Sequence, residues 1–241
     1  SGYTDLEYRY STEENFEPGF RLHHLSFFFE KNLSEDWKFF SEIEYEDAPK
    51  FESDGQTVEV DDGDPNTDNP EAAVFKDANG KIFVEAVNFT YFFNPKLNFR
   101  GGRFFTPAGI WSVDHYPPFV GTQIRPAHIR NIFPQVVDGV TLFGTFPMGN
   151  TFLNYDLYMG NGENATGKQD NNSEKASGLK FAFLFPTFKY FEFGGTVYQD
   201  TLKNSKNEDT KLALGAHMKM KFSLFTLQGE YANGTIDKMD G

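Results

Sequence analysis

The chain has 241 residues, no cysteine and a formal net charge of −13 at pH 7. Aromatics make up 17 % of it, with 29 Phe but only 2 Trp, and yet its mean hydropathy is −0.53. These features exclude disulfides, thiolate metal ligands and cysteine nucleophiles, argue against nucleic acid as a partner, and demand that apolar and polar side chains occupy separate faces.

Eleven segments read as strands, in order 2–10, 20–31, 37–48, 81–93, 97–106, 138–146, 151–160, 176–185, 189–199, 211–222 and 224–232. Alternation is plain in several. In the third, Trp37, Phe39, Ile43 and Tyr45 share one parity, while Lys38, Glu42, Glu44 and Glu46 share the other with Phe40. In the tenth, Leu212, Leu214, Ala216, Met218, Met220 and Phe222 oppose Lys211, Gly215, His217, Lys219 and Lys221. In the eleventh, Phe225, Leu227 and Tyr231 oppose Thr226, Gln228 and Glu230. Segments of roughly ten residues match tilted membrane strands, whereas soluble strands average about five or six.

The connections fall into two classes that take turns. Short ones lie at 32–36, 94–96, 147–150, 186–189 and Ser223; long ones lie at 11–19, 49–80, 107–138, 161–175 and 201–210. An up-and-down barrel with one turn rim and one loop rim produces this order, and a Greek-key sandwich has no reason to. Aromatics flank most of the short turns, among them Trp37, Tyr91, Phe93, Phe146, Phe152, Phe185, Tyr190, Phe222 and Phe225. Around a barrel they would form a belt at one membrane interface. The expected fold is therefore all-β, a transmembrane antiparallel up-and-down barrel occupying residues 1–241 as one domain. No apolar run reaches the length of about 18 residues that a spanning helix needs, which leaves a spanning barrel open.

Eleven strands are an odd number for a bacterial barrel, and the terminal NGTIDKMDG reads as the start of another long loop. The expectation is that these residues belong to a longer barrel; miscounting by one, with closure at ten or twelve strands, is the alternative. No signal peptide is visible at Ser1, so the chain is mature, trimmed or cytoplasmic.

The run GGRFFTP at 101–107, ending a strand and opening a long loop, resembles the GRF-x-x-P element of the phosphate-selective porin-like group of Gram-negative outer-membrane barrels. The turn and amphipathic strand around 33–38 are similar too. The resemblance covers most of the chain in architecture but only this motif in residue detail. It implies a barrel of about sixteen strands, a homotrimer, contact with lipid and lipopolysaccharide, and a third loop (107–138) folded into the lumen. Phosphate-selective members line the lumen with many Arg and Lys, whereas this chain offers a sparser set of both signs.

Candidate pore residues follow. Arg125, His128 and Arg130 sit in the Pro-rich third loop, where two guanidiniums near an imidazole would favour an anion or would instead pin the loop to the wall. Arg100 and Arg103 would point to opposite faces of a regular strand; a bulge at Gly101-Gly102 would bring both inward. The lumen parity carries Lys38, Lys180, His217, Lys219 and Lys221, and also Glu42, Glu44, Asp156, Glu192 and Glu230. In the second long loop Asp62, Asp64, Asn66 and Asp68 recur every two residues, a spacing that can wrap oxygens around Ca²⁺. Thr67 and Ala73 break the EF-hand pattern there, and a solvated acidic loop is the other reading.

No Gly-x-Ser-x-Gly, His-Glu-x-x-His, P-loop or dinucleotide motif is present, and no Cys-x-x-Cys-His for haem, so catalysis is not expected. His23 and His24 are strand neighbours, expected on opposite faces and so unable to chelate one ion. The function expected is an outer-membrane porin passing small hydrophilic solutes, with anions such as phosphate preferred. A barrel sheathing a larger complex, such as a porin–cytochrome conduit, and a soluble β-sandwich binding module are the rivals.

Overall fold

Alternating runs separated by turn residues produce an all-β chain. The computed structural model describes residues 1–10, 12, 19–46, 81–113, 126, 131–163, 172, 174–186, 190–203 and 208–238. It contains β1 (Gly2–Arg9), β2 (Gly19–Asn32), β3 (Trp37–Glu46), β4 (Lys81–Asn94), β5 (Leu97–Phe105), β6 (Val136–Met148), β7 (Thr151–Gly160), β8 (Ala176–Phe185), β9 (Phe191–Lys203), β10 (Glu208–Phe222) and β11 (Phe225–Asp237). The strands form one antiparallel up-and-down sheet in sequence order, β1 through β11. Among the described residues β1 is not paired with β11, so the sheet is not closed.

Each described short turn has a local cause. Ser34 Oγ accepts from the Asp36 and Trp37 amides, and Asn94 Oδ1 accepts from the Lys96 and Leu97 amides, closing tight turns with side-chain oxygens. Gly149 supplies the positive φ of the β6–β7 turn, and Ser223, at φ 22°, does so between β10 and β11. The start of the terminal polar stretch is strand, not loop: Asn233, Gly234, Thr235, Ile236 and Asp237 continue β11, each paired with a residue of β10 from Leu214 back to Thr210. Backbone pairing with a long neighbouring strand outweighs the turn propensity of Asn-Gly there.

Two compact units are distinguished by their internal packing, Ser1–Phe29 with Ser41–Glu85 and Glu30–Phe40 with Ala86–Gly241. In the first, the register of β1 on β2 slips: Asp5 opposes His24 but Leu6 opposes Leu22, so His23 is an extra residue in a bulge. This overturns the expectation for the two histidines. The bulge cancels the alternation, and the rings of His23 and His24 lie side by side with centroids 3.6 Å apart.

In the second unit the two faces are sharply unlike. On β9 and β10 the buried side chains include Thr196, Asp200, Lys211 and His217, while Phe193 and Val197 of β9 and Leu212 and Leu214 of β10 are 40–46 % exposed. The apolar residues on the polar side gather into one cluster of Phe104, Ala108, Phe133, Val137, Tyr158, Ala176, Tyr198 and Ala213. Tyr158 and Tyr198 stack at 6.4 Å, and Phe133 meets Tyr198 edge-on. Burying each such ring contributes on the order of 1.5–3 kcal/mol.

Candidate functional site

The ends of the third long loop lie on the polar face of the second unit. Thr106 N–H donates to the Gln135 carbonyl, joining the two ends, and Ser112 Oγ donates to the Thr106 carbonyl at 2.8 Å. Beyond this neck the chain reaches distant strands. The Gly109 amide donates to Thr196 Oγ1 on β9 at 3.2 Å, and its carbonyl accepts from Lys180 Nζ on β8 at 2.6 Å. The Ile110 and Trp111 amides donate to Glu230 Oε2 on β11 at 3.0 and 3.3 Å. Gly109 adopts φ +50°, a left-handed conformation that favours glycine, and a Cβ there would displace the Glu230 carboxylate from its place. On the loop's returning side Phe133 packs over Gly215 and Ile132 over Gly234.

Charged side chains on the polar parity of the second unit have partners of several kinds. Arg100 Nε donates to Thr90 Oγ1 at 3.2 Å, with its guanidinium 4.8 Å from the Phe143 ring centroid. Asp156 is directly opposite Lys180 in the β7–β8 pairing. Glu192 accepts from Tyr190 Oη at 2.8 Å and lies 3.5 Å from His217 Nε2, and it opposes Lys219 across β9–β10. Lys221 lies over the Tyr190 ring, and Lys38 pairs with Glu30 at 2.9 Å. Glu42 and Glu44 are buried in the other unit. In their strands Asp156, Lys180, Glu192 and His217 share a parity with the buried Tyr158, Ala182, Thr196 and Lys211.

Arg103 does not join Arg100. The β4–β5 and β5–β6 pairings run unbroken through Gly101 and Gly102, with no bulge. Gly102 takes a φ of +122° without adding a residue to the ladder, so strand parity is kept. Arg103 therefore shares a face with its partner Val87, where it makes a two-pronged bond to Asp138, Nε to Oδ1 at 2.6 Å and Nη2 to Oδ2 at 2.7 Å. Arg125, His128 and Arg130, and Asp62, Asp64, Asn66 and Asp68, lie outside the described residues. Among the described residues, two groups could hold a metal ion: Asp5 with His23 and His24, and His24 with Glu44 and Glu46.

A cluster that sequence reading did not anticipate anchors the start of the fourth long loop. Asp200 Oδ2 accepts from Tyr198 Oη and from the Glu163 amide, both at 2.9 Å. Lys211 Nζ donates to Glu163 Oε1 at 2.5 Å. Strand parity could have grouped Asp200 with Lys211, but nothing in the sequence shows that residue 163 folds back onto them. Burial pushes the Glu163 carboxyl above the usual carboxylate range, against the opposing pull of Lys211. A raised folded-state pKa means the stabilising contribution is full below about pH 4.3 and is lost as pH rises through the folded value. The stability of the wild type relative to Glu163→Gln is therefore expected to fall as pH is raised from about 4 towards neutrality. Parallel denaturant titrations across that range would measure it, and a pH-independent difference would remove Glu163 from the account.

No family model matches the chain, and no solved structure matches it. It is similar to a protein of Aquifex aeolicus (strain VF5) described as an uncharacterized protein, with 28 % identity over 213 residues. The match covers 88 % of this chain and 40 % of that protein, so the chain spans about two fifths of the relative's length.

Proposed function

We propose that this chain is part of an outer-membrane β-barrel that lets small hydrophilic solutes diffuse passively, with the third loop narrowing the passage. One observation carries the reading: the strands bury their charges and expose their hydrophobes. Asp200, Lys211 and His217 are at most 6 % exposed, whereas Phe89, Leu157 and Leu214 are 46–51 % exposed. In water this arrangement costs free energy on both faces, but with hydrocarbon outside and a wet lumen inside it is the favoured one. The unpaired edges of β1 and β11 would not be tolerated in lipid, so a closed barrel needs further strands beside them, about sixteen in all on the porin resemblance.

The loop contacts with Lys180, Thr196 and Glu230 favour a constricted lumen over an empty one. Selectivity for anions such as phosphate rests on Arg125, His128 and Arg130, since on the described wall Arg100 and Lys180 both face Asp156, Lys38 pairs with Glu30 and Lys219 opposes Glu192. Reconstitution in planar bilayers tests the proposal. Discrete ionic steps are expected from folded protein, with a reversal potential under a salt gradient that shifts away from anions in Arg125→Ala/Arg130→Ala. Membrane-inserted protein that passes no current would refute conduction, and protein that stays in the aqueous phase without detergent would refute the barrel.

A further inference from the structure

We propose that His24, Glu44 and Glu46 bind a divalent transition-metal cation, with Asp5 as the carboxylate that orients the imidazole. The inference concerns one unit only and does not depend on conduction.

The β1–β2 bulge sets the geometry. It places Asp5 directly opposite His24, where Asp5 Oδ1 accepts from the His24 amide at 3.0 Å and lies 2.9 Å from His24 Nδ1. The second contact is a hydrogen bond in which Nδ1–H donates to the carboxylate, and it fixes the tautomer. The lone pair is then on Nε2, the nitrogen facing β3. There Nε2 has Glu44 Oε1 at 3.9 Å and Glu46 Oε1 at 3.8 Å. These separations are too long for hydrogen bonds. They suit donors gathered about one ion, because ligands each about 2.0–2.2 Å from a metal stand roughly 3–4 Å apart.

The carboxylate ligands are prepared as well. Glu44 is buried, and its other oxygen, Oε2, accepts from Tyr3 Oη at 2.9 Å and from Ser26 Oγ at 2.5 Å. That leaves Oε1 directed at the imidazole. A histidine held by a carboxylate and a carboxylate held by hydroxyls are the outer-sphere supports that metal sites use. Glu46 has a side chain 30 % exposed and provides the way in from solvent. One imidazole and two carboxylates suit zinc and its transition-series neighbours, whereas Ca²⁺ takes six to eight oxygens. His23 sits alongside, with Nδ1 2.9 Å from Glu7 Oε1 and 3.5 Å from Asp5 Oδ2, so it faces these carboxylates and supplies no ligand to the site.

The test is Zn²⁺ titrated calorimetrically into the full chain folded in detergent, with Co²⁺ as a spectroscopic substitute. Saturable binding with one ion per chain is expected, together with visible ligand-field bands from Co²⁺. Asp5→Asn should weaken Zn²⁺ by about 10- to 100-fold, the usual cost of losing an outer-sphere partner. His24→Asn should abolish the site and its Co²⁺ bands, and excess Ca²⁺ should not displace Zn²⁺. Glu46→Gln, at a partly exposed position, is the variant least able to disturb folding and should weaken binding on its own; matching circular dichroism guards the comparison. Absence of saturable binding, or an affinity unchanged in both Glu46→Gln and His24→Asn, would overturn the site, the second outcome placing the ion elsewhere.

Discussion

Leu214→Arg should destabilise the folded chain in a lipid bilayer by about 2–4 kcal/mol, the cost of a cation on the lipid face near the membrane midplane. Leu214 is central in β10, opposite Val197 of β9, which in turn opposes Leu179 of β8. The three form an apolar row, each 38–46 % exposed. If that row faced water, an arginine would change stability by no more than about 0.5 kcal/mol. The same substitution at Leu224 is the control. Leu224 is 89 % exposed in the β10–β11 turn, where the cost at an interface falls to about 0–1 kcal/mol. Reversible urea unfolding from lipid vesicles would measure both. Equal, small effects at the two positions would mean that the exposed hydrophobes do not face hydrocarbon.

The existence and order of the strands were legible because period-two alternation survives in the sequence wherever one face is apolar. Leu212, Leu214 and Met218 against Lys211, His217 and Lys219 could only be a strand with unlike faces, and such they are. What alternation cannot show is where it breaks. His23-His24 looks like any other strand pair, and the slip between Asp5 and Leu6 depends on how β1 meets β2, a tertiary matter. Gly101-Gly102 presented the reverse case: two glycines suggested a bulge, but the ladder absorbs the +122° φ of Gly102 without losing register. Long-range loop contacts were equally hidden. Glu230 read as one more polar wall residue, although it is the acceptor for amides 119 and 120 residues away in sequence. The short–long order of the connections and the motif at 101–107 gave that loop its place in the series, but neither told what holds it.

Releasing that hold should have the largest effect on conduction. Glu230→Ala leaves the Ile110 and Trp111 amides without the carboxylate they share, a loss of about 1–3 kcal/mol for groups shielded from water. At 1.4 kcal/mol per factor of ten, the undocked population of the 107–113 segment should rise about 5- to 150-fold. The Gly109 carbonyl would still be held by Lys180, so Glu230→Ala/Lys180→Met should go further than either change alone. Because alanine is strained at φ +50° and its Cβ would displace the Glu230 carboxylate, Gly109→Ala should loosen the same contact from the other side while keeping every wall charge. Two readouts separate loop release from a simple change of wall charge. Single-channel conductance should increase, with more frequent current fluctuations, in both Gly109→Ala and Glu230→Ala; protease cleavage within the loop should accelerate in parallel. If Glu230→Ala alters ion selectivity while Gly109→Ala leaves conductance and proteolysis at wild-type values, Glu230 acts by its charge, and the loop does not set the width of the passage.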